Sequence, residues 1–375
     1  MRPSWVEVDL SAISANVAAL AALAAPARLC AVVKADAYGH GDVPVAETAL
    51  AAGAAMLAVA MVEEGIRLRE AGITAPILVL SEPPPEAAHE MIHWDLEPTI
   101  YRHVMLEALV TEMHRSEAAQ PLAVQIKVDT GMHRVGADEA TALQLAHRIA
   151  GASSPLRAAG LWTHFSVADE DPDFTRIQID RFNAFAERVR GAGLETGPLH
   201  MANTAGAVLH PDSRADLVRA GLGIYGLYPS PACAEVVVLE PALRLVSRVS
   251  FLRRHAAGVR PSYGRRRALE SESTVATVPI GYADGVPRIL SQRGGEVLIR
   301  GKRYPLAGTV TMDQIVVDLG DDDAVVGDEV VLVGRQGDAE ITVDEWAERT
   351  ETISYEIVCG LGPRLPRHHV GVAHA

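Results

Sequence analysis

Cysteine is scarce in this chain, aromatic residues are few, and long apolar runs are missing. The three thiols, Cys30, Cys233 and Cys359, lie far apart and outside any C-x-x-C pair. That spacing supplies neither a disulfide framework nor a thiolate zinc site. No apolar stretch reaches the ~20 residues that a membrane span requires. Positive charge is in deficit: 34 Lys and Arg stand against 48 Asp and Glu, a formal net charge of -14. The long-range field therefore repels polyanions, which argues against nucleic acid or an anionic membrane as partner. A small anion can still bind where cations cluster. The opening segment MRPSWVEVDL has no apolar h-region, and Glu7 and Asp9 interrupt it. It does not read as a secretory signal, so a cytoplasmic protein is expected. What is present is ordinary for a globular protein with a real core: 49% hydrophobic and 22% charged residues. At roughly 100–200 residues per domain, the length suggests about two domains.

The first two-thirds of the chain alternates short β-type runs with Ala-rich helical stretches. The β-type runs are Leu29–Val33, Met56–Ala60, Pro76–Leu80, Glu97–Ile100, Ala123–Val128, Ala159–His164, Leu199–Ala202 and Leu217–Ile224. The clearest helices are Glu47–Ala55, Val62–Ala71, Asp138–Ile149 and Phe174–Arg190. In the last of these Ile177, Phe182, Phe185, Ala186 and Val189 recur near the helical period. Strand and helix repeated about eight times predict an α/β fold, a (β/α)8 TIM-type barrel over residues 10–230. On pattern alone an open doubly wound sheet is the alternative. After the Pro-punctuated turn Tyr228–Pro231 the texture changes. Val-rich alternating runs follow at Leu245–Leu252, Ser273–Pro279, Glu296–Ile299, Gln314–Asp318 and Glu329–Val333, with one helix near Val343–Arg349. Residues 231–375 are expected to form a mostly antiparallel β domain, and residues 1–9, which also alternate, to pair with it.

In such a barrel chemistry gathers at the C-terminal ends of the strands. The first run ends at Lys34, a lysine directly after a buried strand. Poor solvation should lower its pKa, and a neutral amine can condense with an aldehyde; a strand-end lysine reaching back to solvent is the plainer alternative. The fifth run ends in Lys127-Val128-Asp129-Thr130-Gly131-Met132-His133-Arg134, and the sixth at Thr163-His164. The seventh reaches Asn203-Thr204-Ala205-Gly206, and the eighth carries Arg219-Ala220-Gly221-Leu222. Loops after strands seven and eight are the usual phosphate site of this architecture. Here they offer the Thr204 hydroxyl and small residues with accessible backbone N–H groups, and Tyr38 could add a phenol. An amine for an aldehyde beside a cradle for a phosphate is what pyridoxal phosphate needs.

Nine ordered blocks, among them AVVKADAYGHG, IKVDTGMHRVG, THFSVADE, ANTAGA, RAGLGIYG, PSYG, IGYADG, TVTMDQ and SYEIVCGLGPRLPR, resemble those of alanine racemases. The resemblance runs from Trp5 to about Arg367. It implies a pyridoxal 5'-phosphate enzyme of fold-type III that interconverts L- and D-alanine with two bases and supplies D-alanine for peptidoglycan. By resemblance Lys34 carries the cofactor and is one base, and Tyr263 is the second. Arg219 matches the arginine that donates to the pyridine nitrogen without surrendering its proton, and His164 a partner that orients it. Tyr38, Asn203, Thr204, Gly221, Leu222 and Tyr355 match cofactor-binding positions. Arg134 and the Met312 backbone match contacts to the substrate carboxylate. Lys127 matches a lysine that many members carbamylate, turning a cation into an anion able to pair with Arg134. Tyr282, Asp169 and Arg288 match the access corridor. Tyr263, Tyr282 and Met312 fall in the β domain, so the family's homodimer with shared active sites is implied. The chain departs from some members at Thr309 and Thr311, where an arginine and a cysteine occur.

Rival readings are a decarboxylase of the same architecture, disfavoured because those set an acidic residue at the pyridine nitrogen, and a non-catalytic cofactor-binding barrel, disfavoured by Tyr263 and the β domain. A zinc hydrolase through His89-Glu90-Met91-Ile92-His93 lacks a third ligand, and no metal is expected. Gly221-Leu222-Gly223-Ile224-Tyr225-Gly226 fits a dinucleotide motif, but Leu227-Tyr228-Pro229 follows where a helix is needed. Arg265-Arg266-Arg267 and Asp321-Asp322-Asp323 read as solvated loops.

Overall fold

The computed structural model describes residues 2–116 and 120–371. The chain divides into two compact units: Ala12–Ala37 with Asp42–Glu240, and Met1–Ser11 with Tyr38–Gly41 and Pro241–Ala375. Among the described residues no helix is long and apolar enough to cross a membrane.

Strand β1 (Trp5–Asp9) belongs to the second unit. The first unit is built on eight parallel strands: β2 (Arg28–Val32), β3 (Met56–Val59), β4 (Ile77–Val79), β5 (Glu97–Ile100), β6 (Leu122–Lys127), β7 (Leu156–Trp162), β8 (Leu199–His200) and β9 (Leu217–Ala220). They pair in the order β8-β7-β6-β5-β4-β3-β2-β9. The two ends of that order also meet. Asp216 N–H donates to the Leu199 carbonyl and Arg219 N–H to the Ala202 carbonyl, each at 3.0 Å, so the sheet closes on itself. Strands covered on both faces are apolar nearly throughout, as Leu29–Val32 and Leu57–Val59 are. Helices alternate with them and bury one stripe each; Glu139–Ile149 turns Ala142, Leu145, Ala146 and Ile149 inward. Its start is fixed by Asp138, whose carboxylate accepts from Thr141 N–H, and Asp171 caps Pro172–Gly191 through Phe174 N–H. This is the predicted (β/α)8 architecture.

Three local features were not predicted. The eighth run stops as a strand at Ala220, because Gly221 turns away at ψ -97 into a 3-10 turn, Leu222–Tyr225, that left-handed Gly226 ends. The register of β6 against β7 slips by one residue: Val124 faces Ala158, but Gln125 faces Gly160. After β2 the chain makes a left-handed turn, Lys34–Gly39, with φ near +50° at Ala35, Asp36, Ala37 and Tyr38. For L-residues that conformation costs roughly 1–2 kcal/mol each. Hydrogen bonds hold it. The buried Glu64 carboxylate accepts from Ala35 N–H at 2.7 Å, and also from Ala60 and Met61. Asp36 accepts from Asp42 N–H. Arg367 Nε donates to the Gly39 carbonyl at 3.0 Å.

In the second unit a seven-stranded sheet comprises β10 (Leu243–Arg248), β13 (Glu296–Ile299), β14 (Lys302–Pro305), β16 (Glu329–Gln336), β17 (Ala339–Ile341) and β18 (Arg367–Val370) together with β1. A three-stranded sheet comprises β11 (Phe251–His255), β12 (Ser273–Val278) and β15 (Ile315–Asp318). All strand pairs here are antiparallel except β1 with β18, and β1 runs antiparallel to β10. The helix expected near Val343 spans Val343–Thr350, with Thr342 as its cap.

Candidate active site

Arg219, at the end of β9, is held on several sides by hydrogen-bond acceptors. It is 3% exposed. Nη1 donates to His200 Nδ1 at 2.9 Å and to the His200 carbonyl at 3.1 Å. Nη2 donates to the carbonyls of Thr163 (2.8 Å) and Met201 (3.1 Å), with His164 Nδ1 at 3.3 Å. The guanidinium also lies 4.6 Å from the centre of the Trp162 ring. Burial pulls its pKa to about 10 rather than leaving it above 12, so it remains a cation at neutral pH. Among the described residues no acceptor meets its Nε–H. One donor of a buried cation is therefore left for a group that brings its own acceptor.

Nearby cations act against the charged forms of Lys127 and His164. Lys127, at the end of β6, is 4% exposed, and its ammonium lies 4.3 Å from the centre of the Trp162 ring. Desolvation first, then Arg219, Arg134 and Lys34, lower its pKa to about 7. His164 is held well below its usual range by burial and by Arg219, Lys127, Arg134 and Lys34, so its ring is neutral. Lys34 is half-buried at the start of the left-handed turn. Arg134 is exposed on a loop that Asp129 organises: one carboxylate oxygen accepts from the N–H groups of Gly131, Met132 and His133 at 3.0–3.1 Å. Thr130 and Thr163 hydroxyls meet at 2.9 Å, and Gln178 bonds Thr130 and the His164 carbonyl, which ties that loop to the end of β7.

The loops after β8 and β9 touch directly: Gly221 N–H donates to Thr204 Oγ1 at 3.1 Å. A β-carbon on Gly223 would sit 2.8 Å from Thr204 Cγ2, so this approach requires glycine. Asn203 caps the short helix Thr204–Leu209 through Gly206 N–H. Asp169 lies half-buried on the loop after β7. An amine, a lone guanidinium donor and a hydroxyl-and-amide cradle fit a flat anionic heteroaromatic with a ring acceptor, which is the chemistry of pyridoxal phosphate.

The second unit brings the other sequence-derived positions into two groups. Tyr38 and Tyr355 face each other with ring centres 6.0 Å apart. Tyr263 is 73% exposed on a loop pinned by Thr309: the Thr309 hydroxyl donates to the Tyr263 carbonyl at 2.8 Å, and Ser262 Oγ donates to the Thr309 carbonyl at 2.6 Å. Tyr282 N–H donates to the Thr311 carbonyl and Ala283 N–H to the Met312 carbonyl. The buried Asp284 carboxylate braces that turn by accepting from Gly281 N–H and from Arg2. Tyr282, Met312 and Arg288 are all exposed. The two departures at Thr309 and Thr311 thus hold backbone beside candidate residues.

His200, Trp162, Gln125 and Glu64 escaped the sequence reading. The available signal was a polar residue inside an apolar barrel run, as His200 is in Leu199–Ala202. The H-E-x-x-H segment lies in the helix Ala88–His93, where His89 pairs with Glu112, itself bonded by Arg115. Among the described residues no three His, Cys, Asp or Glu side chains gather as metal ligands.

Comparison with known proteins follows the same division. The family described as alanine racemase, N-terminal domain, matches residues 8–229, and alanine racemase, C-terminal domain, matches residues 242–369. An alanine racemase of Symbiobacterium thermophilum is 45% identical, over 99% of this chain and 98% of its own. Alanine racemase 2 of Bacillus subtilis is 43% identical, over 98% of this chain and 95% of its own. Among solved structures, alanine racemase from D-cycloserine-producing Streptomyces lavendulae superposes with a TM-score of 0.93 at 38% identity, covering 100% of this chain and 98% of that one. Alanine racemase from Bacillus anthracis with bound L-Ala-P gives 0.92 at 36% identity, covering 99% and 96%. With both family domains matched in order along nearly its whole length, the chain belongs to the alanine racemase family.

Proposed function

We propose that this protein interconverts L- and D-alanine with pyridoxal 5'-phosphate as cofactor, residues 10–230 forming the cofactor-binding barrel and residues 231–375 the β domain. The observation that carries the reading is Arg219: a buried cation with one donor open, where a decarboxylase of this architecture would need a carboxylate. When bound, the cofactor supplies an aldehyde for an amine and a ring that stabilises negative charge at the substrate Cα.

Lys34 would hold the cofactor through its aldehyde and, as an amine, would exchange a proton with Cα on one face. Tyr263 exchanges a proton on the other. A tyrosine serves as a base more readily beside cations. Arg219 would offer its Nε–H to the ring's acceptor while keeping its own proton, so it would favour an unprotonated ring nitrogen and restrain side reactions. His164 orients it. Tyr38, Thr204, Gly221, Leu222 and Tyr355 would hold the phosphate, and Asn203 is a further cofactor-binding position. Arg134 and the Met312 N–H hold the substrate carboxylate, and Tyr282, Asp169 and Arg288 line its approach.

With a pKa of about 7, close to half of Lys127 is neutral amine at pH 7. That amine can add to carbon dioxide, forming an N–C bond and releasing a proton, and the resulting carbamate pairs with Arg134. The exposed Tyr263, Tyr282 and Met312 support a homodimer in which each copy completes the other's site. A cytoplasmic role in supplying D-alanine for peptidoglycan follows from the same reading.

The test is to incubate cofactor-loaded protein with L-alanine and follow optical rotation. Decay toward zero is expected; a flat trace from loaded protein refutes the reading.

A further inference from the structure

A second polar feature crosses the barrel interior. Arg219 has only N–H donors, so His200 Nδ1, which meets Nη1 at 2.9 Å, must accept. A neutral His200 then carries its proton on Nε2, and burial, with Arg219 and Arg28, holds the ring well below its usual pKa. Nε2 stands 2.7 Å from Gln125 Oε1, so that oxygen accepts. The Gln125 amide nitrogen in turn donates to Glu97 Oε2 at 2.6 Å. The hydrogens in the chain Arg219–His200–Gln125–Glu97 run in one direction, favoured at one end by an arginine that only donates and at the other by the Glu97 carboxylate that accepts.

The surrounding backbone is shaped around this chain. The register slip at Val124/Gln125 sets Gln125 opposite Gly160. A β-carbon on Gly160 would sit 2.7 Å from Gln125 Oε1 and 3.0 Å from His200 Nε2, in the space that the hydrogen bond occupies. Gly197, at φ +61, packs its Cα against the slipped Ala159–Gly160 peptide, where a β-carbon would come within 2.7 Å. The Trp162 ring lies nearly parallel to His200, 5.7 Å away. At its far end the chain meets a cavity of about 220 Å³ lined by Arg28, Glu97, Gln125, Arg157 and His200, on the side of the barrel where the strands begin.

We propose that Gln125 and Glu97 are positioning residues. They hold His200 as the Nε2–H tautomer, so that Arg219 is locked with Nε–H alone open toward the cofactor ring. The role toward the ring rests on the function proposed above; the tautomer does not. Apoprotein labelled with 15N-histidine is the direct test, with the His200 signals assigned by their loss in His200→Asn. At neutral pH Nε2 should be protonated and Nδ1 bare. Glu97→Leu, which removes the final acceptor, should mix the tautomers, whereas Glu97→Gln, which still accepts, should restore the single one. In loaded protein Gln125→Glu favours a cationic His200, whose Nδ1–H then opposes Arg219. We expect kcat to fall about tenfold or more in both directions, KM for alanine to change about twofold or less, and the bound cofactor's absorption band to move. A protonated Nδ1 in the wild type, or an unchanged kcat and band in Gln125→Glu, overturns the proposal. Failure of borohydride to fix cofactor on Lys34 would instead overturn the proposed function and leave the tautomer result standing.

Discussion

Replacing Lys127 by methionine should stabilise the protein in acid and lose that advantage in base. An unfolded chain titrates this lysine near 10.5, whereas burial beside Arg219, Arg134 and Lys34 brings it to about 7 in the fold. Between those values the unfolded state holds one more proton than the folded state, so stability rises with pH. At about 1.4 kcal/mol per pH unit over some 3.5 units, the span is about 4 to 5 kcal/mol. The destabilisation is fully present below pH 7 and is relieved as pH climbs through 7 toward 10.5. Lys127→Met removes the titrating group and keeps most of the volume above Trp162. Equilibrium unfolding in urea, in buffer stripped of carbon dioxide, gives the difference between variant and wild type. The variant's margin at pH 6 should exceed its margin at pH 10 by about 4 kcal/mol. A margin independent of pH would refute the account of the desolvated ammonium.

Four further outcomes are expected. Lys34→Ala should lose the cofactor adduct that borohydride traps, seen by mass spectrometry; an adduct that persists would move the attachment elsewhere. Tyr263→Phe should slow the two directions of racemisation unequally, and equal wild-type rates both ways would remove Tyr263 as a base. With 13C-bicarbonate the wild type should show a carbamate carbon resonance that Lys127→Met lacks; no resonance in either would exclude the modification. Gly223→Ala forces a methyl against Thr204 Cγ2 and Leu20 Cδ1. At about 1–3 kcal/mol of overpacking, cofactor affinity measured by fluorescence should weaken about tenfold, and unchanged affinity would show that the loop yields.

The eight-fold alternation of strand and helix was legible because both periods are strong and local. The caps at Asp138 and Asp171 were not: the expected helices began at Asp138 itself and at Phe174, whereas the observed ones begin one residue after each aspartate. The left-handed turn after Lys34 was not legible: of Ala35, Asp36, Ala37 and Tyr38 only aspartate favours that region, and the conformation depends on Glu64 and Arg367, distant in sequence. The eighth strand was overextended because Leu222 and Ile224 are apolar enough to pass for strand, while the turn is decided by the Gly221 backbone. At the site, residues named from strand ends do meet in space, as Arg219 does with His164 and Thr204 with Gly221. Their partners were less legible: His200 stands out only as a polar residue in an apolar run and Thr309 only as a departure from the family pattern, while burial and contact across the barrel define Gln125.

Strands β8 and β9 are the two ends of the barrel's pairing order, joined by few backbone bonds, and the Thr204 and Gly221 loops rise from opposite sides of that seam. A phosphate held by both loops would bridge that seam. Cofactor loading should then protect the amides of the seam from hydrogen exchange more than those of β4 or β5 opposite. By mass action, a hundredfold excess over Kd adds about 2.7 kcal/mol to the closed ring.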